Sequence, residues 1–167
     1  MTAAAAAAVL LAACASTPAP AATGDLQLRP VVDVAPTTAT SCTGTPSPAS
    51  ATATMTACDT ARQLVFTLGP ARVTAADVRA VSVAPEATDG SGPAVLVSLD
   101  ANGAATFATW TRELAAQPSP QNQITIVVGG QVQSAPYVQE SIVGGNLEIS
   151  GLASRQVAEA LVRSITG

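Results

Sequence analysis

Apolar side chains recur at every second position from Ile124 through Ile126 to Val128, the period of a strand with one buried face. Gly129-Gly130 follows as a two-residue turn open to positive φ, and Val132 begins a return strand, so the stretch predicts a β-hairpin. Ala135-Pro136 is expected to end the pairing, because proline has no N–H to give to a ladder. Gly144-Gly145 turns the chain again before a third short strand, Asn146 to Ser150, with Leu147 and Ile149 facing inward and Gly151 closing it. Weaker alternation marks Asp25 to Val34, read as an edge strand broken at Pro30, and Gln63 to Leu68, stopped by Gly69-Pro70. Ala80 to Ala87 and Ala94 to Leu99 read as two more strands around a turn cluster, Asp89 to Pro93.

Elsewhere the period becomes helical. Asp100 is placed to cap a helix from Ala101 to about Ala116, with Phe107, Trp110 and Leu114 on one face and Pro118-Ser119-Pro120 ending it. Ser154 caps a last helix in which Val157, Ala158, Leu161, Val162 and Ile165 form a stripe, while Arg155, Gln156, Glu159 and Arg163 face water. A brief helical turn is expected at Thr74, capped by the threonine, with Asp77 at the positive end of its dipole. These lengths imply an α+β fold: a single small domain, mostly antiparallel sheet, with helices packed on one side. Trp110 could stack on a peptide, but with aromatics at 2% of the chain a core position is the favoured reading.

Ala35 to Ala57 is rich in Ala, Thr, Pro and Ser, has no periodicity and predicts an insertion without regular structure. Ala3 to Leu11 is an apolar run followed by Leu11-Ala12-Ala13-Cys14, the pattern of a bacterial lipobox. The expected organisation is a signal peptide over 1–13, a tether over 14–24 beginning with lipidated Cys14, and a folded domain over 25–167 with its insertion at about 35–57. The run has no basic residue before it, and the competing reading is an alanine-rich helix with a buried cysteine. An acylated Cys14 would hold the protein on the outer face of the cell membrane. In that oxidising setting Cys42 and Cys58 are expected to form a disulfide, worth roughly 3 kcal/mol for a closed loop of about 15 residues. Two free thiols are the alternative.

The chain has no histidine and no lysine, so the usual bases for a serine or cysteine nucleophile are missing, as is a phosphate-binding lysine. Carboxylate pairs such as Asp100 with Glu113, or Glu140 with Glu148, read as solvated acids rather than a hydrolytic dyad. Gly90-Ser91-Gly92 lacks the third glycine and the strand-to-helix setting of a dinucleotide fingerprint. With one cysteine lipidated and two paired, no zinc ligands remain. A net charge of −4 and a pI near 4.5 argue against nucleic acid. No enzyme, cofactor or metal is expected.

The order of strand, turn, Gln-Val-x-Ser-Ala-Pro, Ile-x-Gly-Gly, Ile-x-Gly and helix resembles the periplasmic head subdomain of the SecD family. The residues that carry it are Gly130, Val132, Ser134, Ala135, Pro136, Ile142, Gly144, Gly145, Ile149, Gly151, Ala158 and Leu161. Leu28-Arg29-Pro30-Val31, Leu68-Gly69-Pro70 and Asn102-Gly103 also look like that subdomain, so the resemblance covers most of Asp25 to Ile165. Gly129 stands where the family usually has Asp, and the insertion with its cysteine looks like an actinobacterial variant. SecD assists Sec-dependent export, and it uses membrane-spanning helices for energy coupling; no run of about 18 apolar residues occurs here. The resemblance therefore implies a tethered module that binds translocating polypeptide or the Sec machinery without energy coupling of its own. Its expected contact surface is Val132, Ser134, Ala135, Pro136 and Tyr137, with the loop to Gly145, where an unpaired edge could accept an extended segment. The alternative is a structural or small-ligand-binding envelope lipoprotein that reuses the fold; an apolar pocket between sheet and helices would favour it.

Overall fold

The strand expected at an edge is the centre of the architecture. In the computed structural model, which describes residues 23–85 and 92–167, β1 spans Leu26–Pro36. The signal segment, Cys14, most of the tether and most of the Asp89–Pro93 cluster lie outside the described residues. Strands β2 (Met55–Cys58), β3 (Leu64–Leu68), β4 (Val73–Thr74), β5 (Val78–Val83), β6 (Val95–Leu99), β7 (Ile124–Val128), β8 (Gln131–Ser134) and β9 (Asn146–Ile149) follow, with helices α1 (Ala101–Ala115) and α2 (Arg155–Thr166). The fold is α+β with antiparallel ladders. The strands form two sheets rather than one: β2-β3-β1-β7-β8, with β4 also on β1, and β5-β6-β9.

Pro30 is tolerated mid-sheet because of where its missing donor falls. The Pro30 carbonyl accepts from Gly69 N at 3.0 Å, whereas the next residue, Val31, donates toward β7, to Gln123 O at 3.3 Å. The proline nitrogen therefore points to the side where β1 changes partner, from β4 at Gln27–Leu28 to β3 from Val31 onward. No ladder bond is lost there.

Alternation on β1 and β7 divides the interior in two. Leu26 and Leu28, with Ile124, Ile126 and Val128, face a main core shared with β5, β6, α1 and α2. Val31 and Val127 face the other way, into a smaller core with Ala57, Phe66, Leu68 and Val132. All five β7 residues are buried because both faces are covered. The larger sheet curls around the smaller core until Asp59, just past β2, bridges Val132 on β8.

The 35–57 segment departs from expectation. β1 continues through Pro36 and β2 begins at Met55, so regular structure reaches into both ends. Between them the backbone is held by a buried arginine. Arg29 is 0% exposed, and its guanidinium donates to Gln27 Oε1 (2.6 Å), Ala53 O (2.7 Å), Gly69 O (2.8 Å) and Ser50 O (2.7 Å). Gln27 adds a bond to Ala49 O at 2.8 Å. A charge taken out of water needs its donors satisfied, and four of the five N–H groups are, three of them by backbone carbonyls. Burial pushes the Arg29 pKa down, and the Asp25 carboxylate opposes this. Cys42 and Cys58 form a disulfide with Cα atoms 5.9 Å apart.

The helices follow their caps. Asp100 Oδ1 accepts from Gly103 N at 2.7 Å, and α1 buries Phe107, Trp110 and Leu114. Thr74 and Asp77 form a capping box at the short 3₁₀ turn Ala75–Asp77, with Asp77 Oδ2 accepting from both the Thr74 N–H (2.8 Å) and its hydroxyl (3.1 Å). Ser154 Oγ accepts from Val157 N at 3.3 Å, and α2 buries Ala158, Leu161 and Ile165. Val157, expected in that stripe, is 44% exposed because α2 meets β5 along a narrower seam. β5 ends at Val83, earlier than the expected Ala87.

Candidate functional site

The hairpin that carries the expected contact residues is present. Gly129 and Gly130 have φ of +60° and +77°, the pair of positive values a type I′ turn needs, and Val128 faces Gln131 across it. A side chain at Gly130 would also strike the backbone of Ser47, so the insertion rests on this turn. Gly144, Gly145 and Gly151 likewise have positive φ.

The surface differs from the one expected. Val132 is 2% exposed and lies in the smaller core, with Ala135 packed against that core. Curling of the sheet brings Asp59 to Val132, so this edge of β8 is not open for an added strand. Ser134 is half-buried opposite Ile126. Nor does pairing stop at Pro136: its carbonyl accepts from Ile124 N at 3.1 Å, and Val138 N donates to Asn122 O at 2.8 Å. The ladder needs only the proline's oxygen. Pro136 and Tyr137 are exposed, Tyr137 by 58%.

The following loop is docked on α1. Ser141 Oγ donates to Ala108 O at 2.9 Å, and Ile142 N donates to Thr111 Oγ1 at 2.9 Å. Thr111 is 0% exposed, and its hydroxyl donates to Ala108 O at 3.2 Å within α1 while accepting from the loop. Gly145 O accepts from Leu99 N at 2.7 Å, and a Cβ on Gly145 would lie 2.6 Å from Ala104 Cβ. Held this way, the loop turns Ile142 and Val143 outward, Val143 by 75%. Between the Pro136–Val138 stretch and β9, the last strand of its sheet, lies a cleft of about 180 Å³. Phe107, Ile124 and Ile126 line it, Asn146 to Glu148 form one wall, and Ile142 completes the lining.

That volume lies below the roughly 300–1,000 Å³ of small-molecule sites and fits a side chain rather than a cofactor. Among the described residues no group of His, Cys, Asp or Glu is arranged to hold a metal ion. Of the candidate carboxylates, Asp100 is occupied as the α1 cap. The sequence pattern missed Phe107 on α1 and Leu147 on β9 as walls of one cleft, because only tertiary packing brings these elements together.

The comparisons with known proteins fit this arrangement. A model of the SecDF P1 head subdomain matches residues 49–167, so the matched stretch begins within the insertion and leaves β1 ahead of it. The chain is 34% identical over 101 residues to the protein translocase subunit SecD of Streptomyces coelicolor, covering 60% of this chain and 18% of that protein. It is 39% identical over 69 residues to SecD of Magnetococcus marinus, covering 41% and 12%. The chain thus spans less than a fifth of these curated relatives. A crystal structure of SecDF in its super-membrane-facing form superposes with a TM-score of 0.57 at 20% identity, over 88% of this chain and 19% of that one. A second, of a membrane component SecDF that enhances protein export, gives 0.56 at 20% identity, over 88% and 64%. No helix among the described residues is long and apolar enough to cross a membrane. With most of its length matched by the family model and the same fold in the solved relatives, the chain belongs to the SecDF P1 head subdomain family.

Proposed function

We propose that this domain contacts extended polypeptide outside the cytoplasm in association with Sec-dependent export, seating an apolar side chain in the cleft beside Tyr137. The observation that carries the reading is the pairing of an apolar cleft with exposed apolar residues at Tyr137, Ile142 and Val143 on a loop pinned to α1. Membership of a SecDF subdomain family and similarity to proteins named as translocase subunits support it. Ser134, Ala135 and Val132 hold the hairpin beneath that surface, and Pro136 and Tyr137 are the members of the expected set that reach it.

In this reading Cys14 carries the lipid that keeps the domain at the outer face of the membrane. The domain supplies no energy coupling and no catalysis, takes no cofactor, and partners a translocating chain or the Sec machinery rather than nucleic acid. A photo-crosslinking amino acid placed at Tyr137, in cells exporting a model secreted protein, is expected to yield adducts with that protein or a Sec component. Adducts with neither would overturn the reading. For the anchor, Cys14→Ala should move the protein from the membrane pellet to the soluble fraction; unchanged partitioning would remove the lipid from the account.

A further inference from the structure

Thr or Ser stands at more than half of positions 37–56, with Pro46 and Pro48 among them, a composition that in exposed segments suits O-linked sugar. The structure sorts these hydroxyls. Thr37 Oγ1 donates to Arg62 O at 2.9 Å, Thr38 pairs with Thr40 and Ser41, and Ser50 pairs with Thr52. Thr43 and Thr45 are exposed, and their hydroxyls, like those of Ser47, Thr54 and Thr56, have no hydrogen-bond partner among the described residues; what sets Thr43 and Thr45 apart is the short stretch they stand on. Both ends of their stretch are fixed: Cys42 by its disulfide and by Arg62, whose Nη1 donates to Cys42 O at 2.7 Å, and Ser47 by its close contact with Gly130. Beside them runs an open groove of about 500 Å³ whose lining includes Thr56, Arg62 and Gln131, polar groups able to bond sugar hydroxyls.

We propose that Thr43 and Thr45 are acceptor sites for O-glycosylation, the stretch fixed at Cys42 and Ser47 presenting both hydroxyls to a transferase. The donor is a sugar activated through an anomeric phosphate. The threonine oxygen attacks the anomeric carbon, the bond to the phosphate oxygen breaks with its electron pair leaving on phosphate, and the hydroxyl proton passes to a base of the transferase. The proposal rests on the extracytoplasmic placement proposed above, where a membrane-bound donor and transferase would meet the exported chain.

The test is peptide mass spectrometry, with fragmentation that preserves glycosidic bonds, on the full chain purified from its own cells, alongside fractionation of those cells. The expected result is one or more sugar increments on the peptide containing Thr43 and Thr45, absent from the Thr43→Ala/Thr45→Ala double variant. That variant should keep the urea midpoint of the unglycosylated protein, since neither hydroxyl bonds to the described residues. A bare peptide on protein recovered outside the cytoplasm would overturn this proposal alone, as would sugar confined to other residues. Protein confined to the cytoplasm would sink both readings.

Discussion

Replacing Arg29 with methionine tests whether the buried guanidinium holds the insertion in place. Four bonds to neutral oxygens disappear together. Ser50 and Ala53 are exposed residues, so their carbonyls regain water once the loop lifts. Gln27 Oε1 and Gly69 O accept in buried bonds and are stranded, each orphaned acceptor costing about 1–3 kcal/mol. Relief of the guanidinium's own desolvation offsets part of this, and the methionine side chain keeps much of the packing. A net loss of about 2–4 kcal/mol follows, on the order of a 10 °C fall in Tm for a domain of this size. Urea unfolding can be followed on the single tryptophan, Trp110, which is 4% exposed in the main core and so reports global unfolding rather than loop release. Loop release has its own probe, the Ala71 amide, which donates to Ala51 O at 2.7 Å and should lose hydrogen-exchange protection in R29M. Arg29→Lys should also destabilise, because one ammonium cannot reach acceptors spread around a planar fork. A change under about 1 kcal/mol with Ala71 still protected would refute the role given to Arg29.

Three further outcomes follow from the same geometry. Cys42→Ser with Cys58→Ser should lower stability by about 3 kcal/mol, and reductant should then have no added effect on the urea midpoint. Gly145→Ala places a methyl group 2.6 Å from Ala104 Cβ at a φ of +65°, and calorimetry should show a cost of about 1–3 kcal/mol. Thr111→Val removes the acceptor of the Ile142 amide, so faster exchange at that amide and weaker crosslinking from position 137 should appear together.

Much of the fold was legible because local chemistry and tertiary structure agreed. The Gly129-Gly130 turn, the caps at Asp100 and Ser154 and the inward faces of β7 and α1 rest on interactions a few residues apart. Strand position was less accessible. Pro30 suggested an edge, since a proline removes one donor, but only the changeover from β4 to β3 shows that nothing stood opposite it. Pro136 misled in the same way: its oxygen continues a ladder its nitrogen cannot join. The insertion gave no periodic signal because polar bonds from Arg29 and Gln27, rather than an apolar face, hold it.

The candidate site divides along the same line. Sequence alone determined most of the elements, the turn glycines, the absence of histidine and lysine, and the resemblance to SecD heads, since each is a property of the chain itself or of short-range geometry. Tertiary structure decided that Val132 is buried, that the curled sheet meets itself at Asp59, and that Tyr137 and Ile142 flank a cleft shared by two sheets. Those outcomes depend on contacts between segments far apart in the chain, and the alternation of a strand says which residues share a face but not what will cover it.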